Sequence, residues 1–160
     1  MDELALTTLR DELLADCQVA EAAWSLAQTR FDEQTDSGLE ACAHYLSRLY
    51  NVIEQMGVRV ARAFENRLED DRGWHAELIR RLSIPISGVR PALFAEDIRQ
   101  PLRELRAFRH VFTHAYDLEL ERGKLALLLT YAERVVPRLR PLSVKFVDHI
   151  ARQEGLSGFE

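Results

Sequence analysis

The first break in helical patterning along this 160-residue chain comes at Thr35-Asp36-Ser37-Gly38. Before it, Leu6, Leu9, Leu13, Cys17, Ala20, Trp24 and Ala27 recur at intervals of three and four, with no glycine or proline among them. That period lays one apolar stripe along a helix, and it differs from the two-residue alternation of a half-buried strand. A helix from Leu4 to Phe31 therefore opens the chain. Past the turn signal the same period resumes from Leu39 to about Leu68, with Leu46, Leu49, Ile53, Met56, Val60 and Phe64 inward. Gly57 is the weak point of this second helix, costing about 1 kcal/mol relative to alanine. Two long helices joined by so short a turn form an antiparallel pair.

Glu69-Asp70-Asp71-Arg72-Gly73 ends that pair. A short helix over Trp74–Leu82 leads into a loop from Ser83 to Pro91, which Pro85 and Pro91 keep from continuing as helix. Arg90 in this loop is a candidate ligand contact. A third long helix spans Ala95 to Tyr116, with Pro101 kinking it or marking where its regular part begins. The last runs from Glu121 to about Gln153, with Leu125, Leu128, Leu129, Ala132, Val136 and Leu139 inward. Pro137 and Pro141 are expected to bend or break it, and residues 153–160 form a glycine-containing tail expected to fray. The fold expected is all-α, an up-and-down four-helix bundle with a short extra helix and a proline-containing loop. Residues 1–160 read as a single domain.

Composition supports a packed soluble chain, with 47% apolar and 29% charged residues. No apolar run reaches bilayer length, and Met1-Asp2-Glu3 is acidic where a signal peptide would be basic. Cys17 and Cys42 have neither zinc spacing nor disulfide density and read as small core residues in a reducing cytoplasm. Trp24, Tyr45 and Tyr50 read as core aromatics. The net charge of −5 is unevenly spread. Residues 1–40 hold ten acids and two bases, whereas residues 72–109 hold eight arginines and four acids. A basic site on an acidic protein is what local phosphate binding requires.

The chemistry concentrates in residues 103–117. Leu102, Leu105, Phe108, Val111 and Phe112 give this helix its apolar face. Arg103, Arg106 and His110 lie three or four residues apart, as do His110, His114 and Asp117, so they form one polar stripe with Arg109 beside it. A plain reading is a solvated helix face. A second is a phosphate-handling site, because arginine offers a fixed fork of donors and histidine titrates near neutrality. A third is a metal site built from His110, His114 and Asp117. Arg106 on the same face opposes a dication, and no Glu-x-x-His on another helix completes a bundle site.

Arg109-x4-His114-x-Tyr116 resembles the R-x4-H-x-Y motif of HepT-like toxins in the HEPN superfamily. His110 supplies the polar residue usual after the arginine, and Asp117 follows the tyrosine. The resemblance covers roughly residues 96–150 and implies a metal-independent, cofactor-free endoribonuclease that acts on RNA in a cleft between two protomers. It also implies a toxin of a type II or type VII-like toxin–antitoxin module, paired with a small MNT nucleotidyltransferase antitoxin that can transfer AMP to Tyr116. The nucleotidyltransferase signature is absent from this chain, so it would be the partner and not that enzyme. The alternative is a non-catalytic HEPN bundle that binds nucleotide or a partner nucleotidyltransferase.

RNA cleavage by attack of a 2′-hydroxyl needs a base, an acid and positive charge for the phosphorane. His114 is a candidate base or acid and Arg109 the charge clamp, with His110, Arg106 and Arg103 in supporting or RNA-binding roles. One motif histidine is too few for two proton transfers. A homodimer apposing the motif helices would supply two, and so would His110 within one chain. On a polar face, loss of Arg109 or His114 is expected to change stability by no more than about 0.5 kcal/mol.

Overall fold

The computed structural model describes residues 1–65 and 74–156, except for the side chains of residues 74–76. Helix α1 (Glu3–Asp32) starts at Asp2, whose carboxylate accepts the Ala5 N–H at 2.7 Å. Helix α2 (Asp36–Phe64) starts at Thr35, whose hydroxyl accepts the Gly38 N–H at 3.0 Å. Both caps satisfy N–H groups that a helix start leaves unpaired. The three-residue connection is tight. Gln34 takes the left-handed conformation (φ +56°), and a Cβ on Gly38 would sit 2.5 Å from the Arg30 carbonyl oxygen. Helices α3 (Trp74–Leu82), α4 (Arg99–His114) and α5 (Arg122–Glu154) follow, with a 3-10 turn over Glu96–Ile98 leading into α4.

The four main helices form a ring in which α1 meets α2, α2 meets α4, α4 meets α5 and α5 returns to α1. Ion pairs show the register. Arg59 on α2 holds Glu12 and Asp16 of α1, and Arg138 on α5 holds Asp97 just ahead of α4. Arg140 pairs with Glu21 while Arg122 donates to the Phe31 carbonyl, so α5 and α1 run antiparallel. The bundle is up-and-down. Its core includes Leu6, Leu13, Leu46, Ile53, Leu102, Leu105, Val136 and Phe146, each at most 1% exposed. Burying a side chain of this size stabilises the fold by about 1.5–3 kcal/mol. Cys17 and Cys42 are buried there too, and burial pushes the Cys42 thiol up to about 11. Tyr50 is wholly buried, with Trp24 and Tyr45 half-buried against the core. No helix among the described residues is long and apolar enough to cross a membrane.

Of the helix prolines, Pro101 meets one of its two expectations and Pro137 and Pro141 do not break their helix. Pro101 is the third residue of α4, in the first turn, where a helix has no use for its missing N–H. It marks the start of the regular helix. Pro137 and Pro141 do not break α5, which is continuous from Arg122 to Glu154. Val135, Val136, Leu139, Ser143 and Phe146 are buried on either side of them. That packing offsets a cost of about 3 kcal/mol for each interior proline. Gly155 ends α5 in the left-handed conformation, and the Leu156 N–H donates to the Ala151 carbonyl at 2.9 Å. Residues 153–156 thus form a capped helix end, while residues 157–160 of the expected tail lie outside the described residues. The expected end of α2 at Leu68 and the 69–73 terminator also lie outside them. Within them, α2 stops at Phe64.

At about 1.5 Å per residue, α4 is roughly half the length of α5. The remaining side of the bundle is covered by α3 and the loop over residues 83–95. Leu78, Ile79, Leu82, Leu93 and Phe94 are all buried there. Arg90 staples this segment. Its buried guanidinium donates to Glu65 at 2.6 and 3.0 Å, to the Ile84 and Pro91 carbonyls, and to the Arg81 carbonyl. Glu65 also pairs with Arg81. The expectation that Arg90 contacts a ligand is therefore overturned, because its donors are engaged inside the fold.

Gly57 has a packing reason. A Cβ there would lie 2.7 Å from Leu82 and 3.1 Å from Leu78, so the glycine lets α3 seat on α2. Gly57→Leu should lower stability by about 1–3 kcal/mol through overpacking, measured by urea denaturation. An unchanged midpoint would mean that α3 does not depend on this close approach.

Candidate active site at the end of helix α4

Helix α4 buries Leu102 and Leu105 fully and Phe108 and Phe112 partly, with the two phenyl rings stacked at 5.6 Å. Val111, read from its spacing as inward, is 46% exposed. The inward face narrows because this end of α4 borders an open apolar cleft of about 310 Å³ with Leu120, Leu127 and Tyr131, where the core is not filled. The helix also stops at His114, two residues earlier than the periodicity suggests. Ala115 turns to an extended conformation while its N–H still closes on the Val111 carbonyl.

The histidines meet as the stripe requires. Their rings stack with centroids 4.6 Å apart at 29°. Nδ1 of His114 lies 2.8 Å from the His110 carbonyl oxygen, which can only accept, so this nitrogen carries the hydrogen. Thr113 Oγ1 lies 2.9 Å from the same nitrogen and also bonds the Arg109 carbonyl. The neutral imidazole then keeps its lone pair on Nε2, and the side chain is exposed. Asp117 lies beyond the helix end, so the three-ligand spacing is not realised on one helix. Among the described residues, no group of three or more His, Cys, Asp or Glu side chains is arranged to hold a metal ion.

Tyr116 stands in the turn after α4 with its side chain fully exposed. It lines a cleft of about 480 Å³ with Leu39, Glu40, Phe112 and Glu119. Arg103 is exposed and Arg106 half-buried further back along α4, where both line a groove against α3.

Arg109 faces α2. Nη1 donates to Asn51 Oδ1 at 3.0 Å, and Nη2 reaches Glu54 at 3.2 and 3.3 Å. The guanidinium carbon sits 5.2 Å above the centre of the Tyr50 ring, within cation–π reach. Glu54 is only 5% exposed, and the arginine is one of the groups that balance its buried charge. Burial raises the Tyr50 phenol pKa and the Glu54 carboxylate adds to this, while Arg106 and Arg109 oppose it. The polar-face reading therefore understates the structural part that Arg109 plays. Sequence reasoning missed Asn51 and Glu54 altogether. One signal was present, an acid at position 54 between the inward residues Ile53 and Met56 of an otherwise apolar stripe.

The model of a family described as HepT-like protein matches residues 41–150. The chain belongs to the HepT-like family. No curated protein and no solved structure matches it. The HepT-like region takes in most of α2, all of α3 and α4, and nearly all of α5, leaving α1 outside. It begins well before residue 96, where the motif resemblance starts, so Asn51 and Glu54 fall inside it with Arg109, His114 and Tyr116.

Loss of Arg109 should weaken the charge balance of the buried Glu54 carboxylate. Arg109→Ala is expected to destabilise this HepT-like chain by roughly 2 kcal/mol, less than for a fully enclosed pair because Arg109 is partly exposed. Adding Glu54→Gln should recover part of the loss. Thermal and urea melts of the single and double variants measure the coupling, and simple additivity would show that the pair is not linked.

Proposed function

We propose that this HepT-like chain is the toxin of a type II or type VII-like toxin–antitoxin module, a metal-independent endoribonuclease of the cytoplasm. The observation that carries the reading is the bond between His114 Nδ1 and the His110 carbonyl, which leaves Nε2 as the basic nitrogen on an exposed helix end. In the scheme, Nε2 takes the proton of a ribose 2′-hydroxyl and the 2′-oxygen attacks the adjacent phosphorus. The P–O5′ bond breaks, a second, protonated imidazole gives its proton to the leaving 5′-oxygen, and a 2′,3′-cyclic phosphate results. That second imidazole is His114 of the other protomer in a homodimer whose α4 ends meet at a shared cleft. His110, stacked on His114, is the candidate within one chain.

Arg109 is the charge clamp in this scheme. A guanidinium has five N–H donors. One on each Nη is engaged by α2 and Nε is buried, which leaves one on each Nη for a phosphate oxygen. Arg103, Arg106 and His110 support RNA binding. Replacing His114 with alanine should lower RNA cleavage by about 100-fold or more with little loss of stability, and EDTA should leave the wild-type rate unchanged. Gel analysis of a labelled RNA and growth arrest on expression report both. Full activity in the variant refutes the scheme.

Tyr116 is the proposed site of AMP transfer by an MNT nucleotidyltransferase antitoxin. Its exposed phenol is open to a partner enzyme, and an added AMP would bring bulk and negative charge to the end of α4 against an incoming RNA strand. Intact-mass and peptide mapping after co-expression should find AMP on Tyr116 and none on a Tyr116→Phe chain. AMP on another residue would move the regulatory site elsewhere.

A second reading has one observation in its favour. Glu54 already neutralises Arg109 within the chain, as suits a non-catalytic HEPN bundle that binds nucleotide or a partner nucleotidyltransferase. Such a chain would neither cleave RNA nor arrest growth.

A further inference from the structure

We propose that the groove between α3 and α4 is a track for the phosphate backbone of single-stranded RNA, outside the cleavage site itself. The groove encloses about 490 Å³. Arg80 of α3 and Arg99, Arg103 and Arg106 of α4 line it, against Glu77 and Glu104. Glu77 is already engaged by Arg80 at 2.6 Å, and Glu104 is within 3.5 Å of Gln100 Nε2. Among the described residues, Arg99, Arg103 and Arg106 form no ion pair. Several arginines outside the groove, Arg59, Arg90, Arg138 and Arg140 among them, are bound to carboxylates. On a chain of net charge −5, a row of uncommitted arginines is a local reversal of sign that steers polyanions.

The spacing favours a strand over a single phosphate. Arg99, Arg103 and Arg106 recur at intervals of four and three, so they share one side of α4 and spread over about 10 Å of its axis. One phosphate group cannot span that distance, whereas successive phosphates of a nucleic acid can. The row also points along the helix to His110 and His114, the latter about 12 Å beyond Arg106. A strand laid in the groove would thus bring its next phosphodiesters to the imidazoles. Arginine bonds to phosphate position a strand without reading its bases, so the groove would add affinity and register but little sequence preference. The strand is single because in-line attack by a 2′-hydroxyl needs a sugar–phosphate unit released from helical stacking.

This inference rests on the ribonuclease reading for its purpose, yet its test is independent of cleavage. The probe is a fluorescently labelled single-stranded oligoribonucleotide, titrated into full-length His114→Ala protein across a series of salt concentrations. Adding Arg99→Ala and Arg103→Ala should weaken binding about 10-fold and reduce the salt slope by about 0.7 for each phosphate left without its arginine. The corresponding lysine pair should retain most of the slope, and it carries the test if the alanine pair does not fold. Unchanged affinity and slope overturn the proposal. So does a variant that binds RNA normally but loses self-association, which would make the groove a protein interface. Groove-dependent binding by a wild-type chain that cuts nothing would sink the ribonuclease reading and leave the groove standing.

Discussion

Helix α4 has sixteen residues in a bundle whose other main helices have about thirty, and much of the architecture answers to that shortfall. A helix this short covers only part of α2 and α5, and apolar surface left open beyond it would forfeit about 25 cal/mol per Å². The chain fills the space with α3 and a proline-containing loop. Irregular backbone at the core needs its carbonyls satisfied, and the Arg90 guanidinium does this for Ile84, Pro91 and Arg81 while Glu65 balances its charge. The same arrangement creates the α3–α4 groove. It also leaves the histidine end of α4 at the rim of the bundle, beside a cleft that the core does not fill.

Much of this was legible in the sequence, and the exceptions share a cause. The stripes Leu6–Leu13–Ala20 and Leu46–Ile53–Val60 face inward as their period requires, because α1 and α2 have partners along their whole length. Val111 obeys the same period yet is exposed, since periodicity says which side of a helix is apolar and not where its neighbour ends. Local rules alone predict a bend or break at Pro137 and Pro141, whereas burial against distant helices decides their outcome. The arginines show the same limit. Arg90 and Arg109 read as ligand contacts by residue type, but their carboxylates lie 25 and 55 residues away, at Glu65 and Glu54. No local spacing rule reports such a pair. The contact of His114 with His110 was legible because both lie on one helix, four residues apart.

Helix α2 links the fold to the site. Its buried face closes the core through Tyr50, Ile53 and Met56, and Gly57 admits α3. Asn51 and Glu54, alongside those residues, hold the guanidinium of α4. The Tyr50 ring serves both sides, as a core side chain and as the floor beneath Arg109. An arginine held in this way is backed by core side chains, which suits the charge-clamp role proposed for it.

The two halves of the motif are therefore under unequal restraint. Arg109 answers for a buried carboxylate, so folding itself opposes its replacement whether or not RNA is ever cut. Among the described residues His114 bonds only its own helix, and its side chain is exposed, outside the core. In descendants of such a fold that had abandoned catalysis, the imidazole would be free to drift long before the guanidinium. Under the ribonuclease reading, retention of the histidine, more than of the arginine, would then mark the lineages that keep the chemistry.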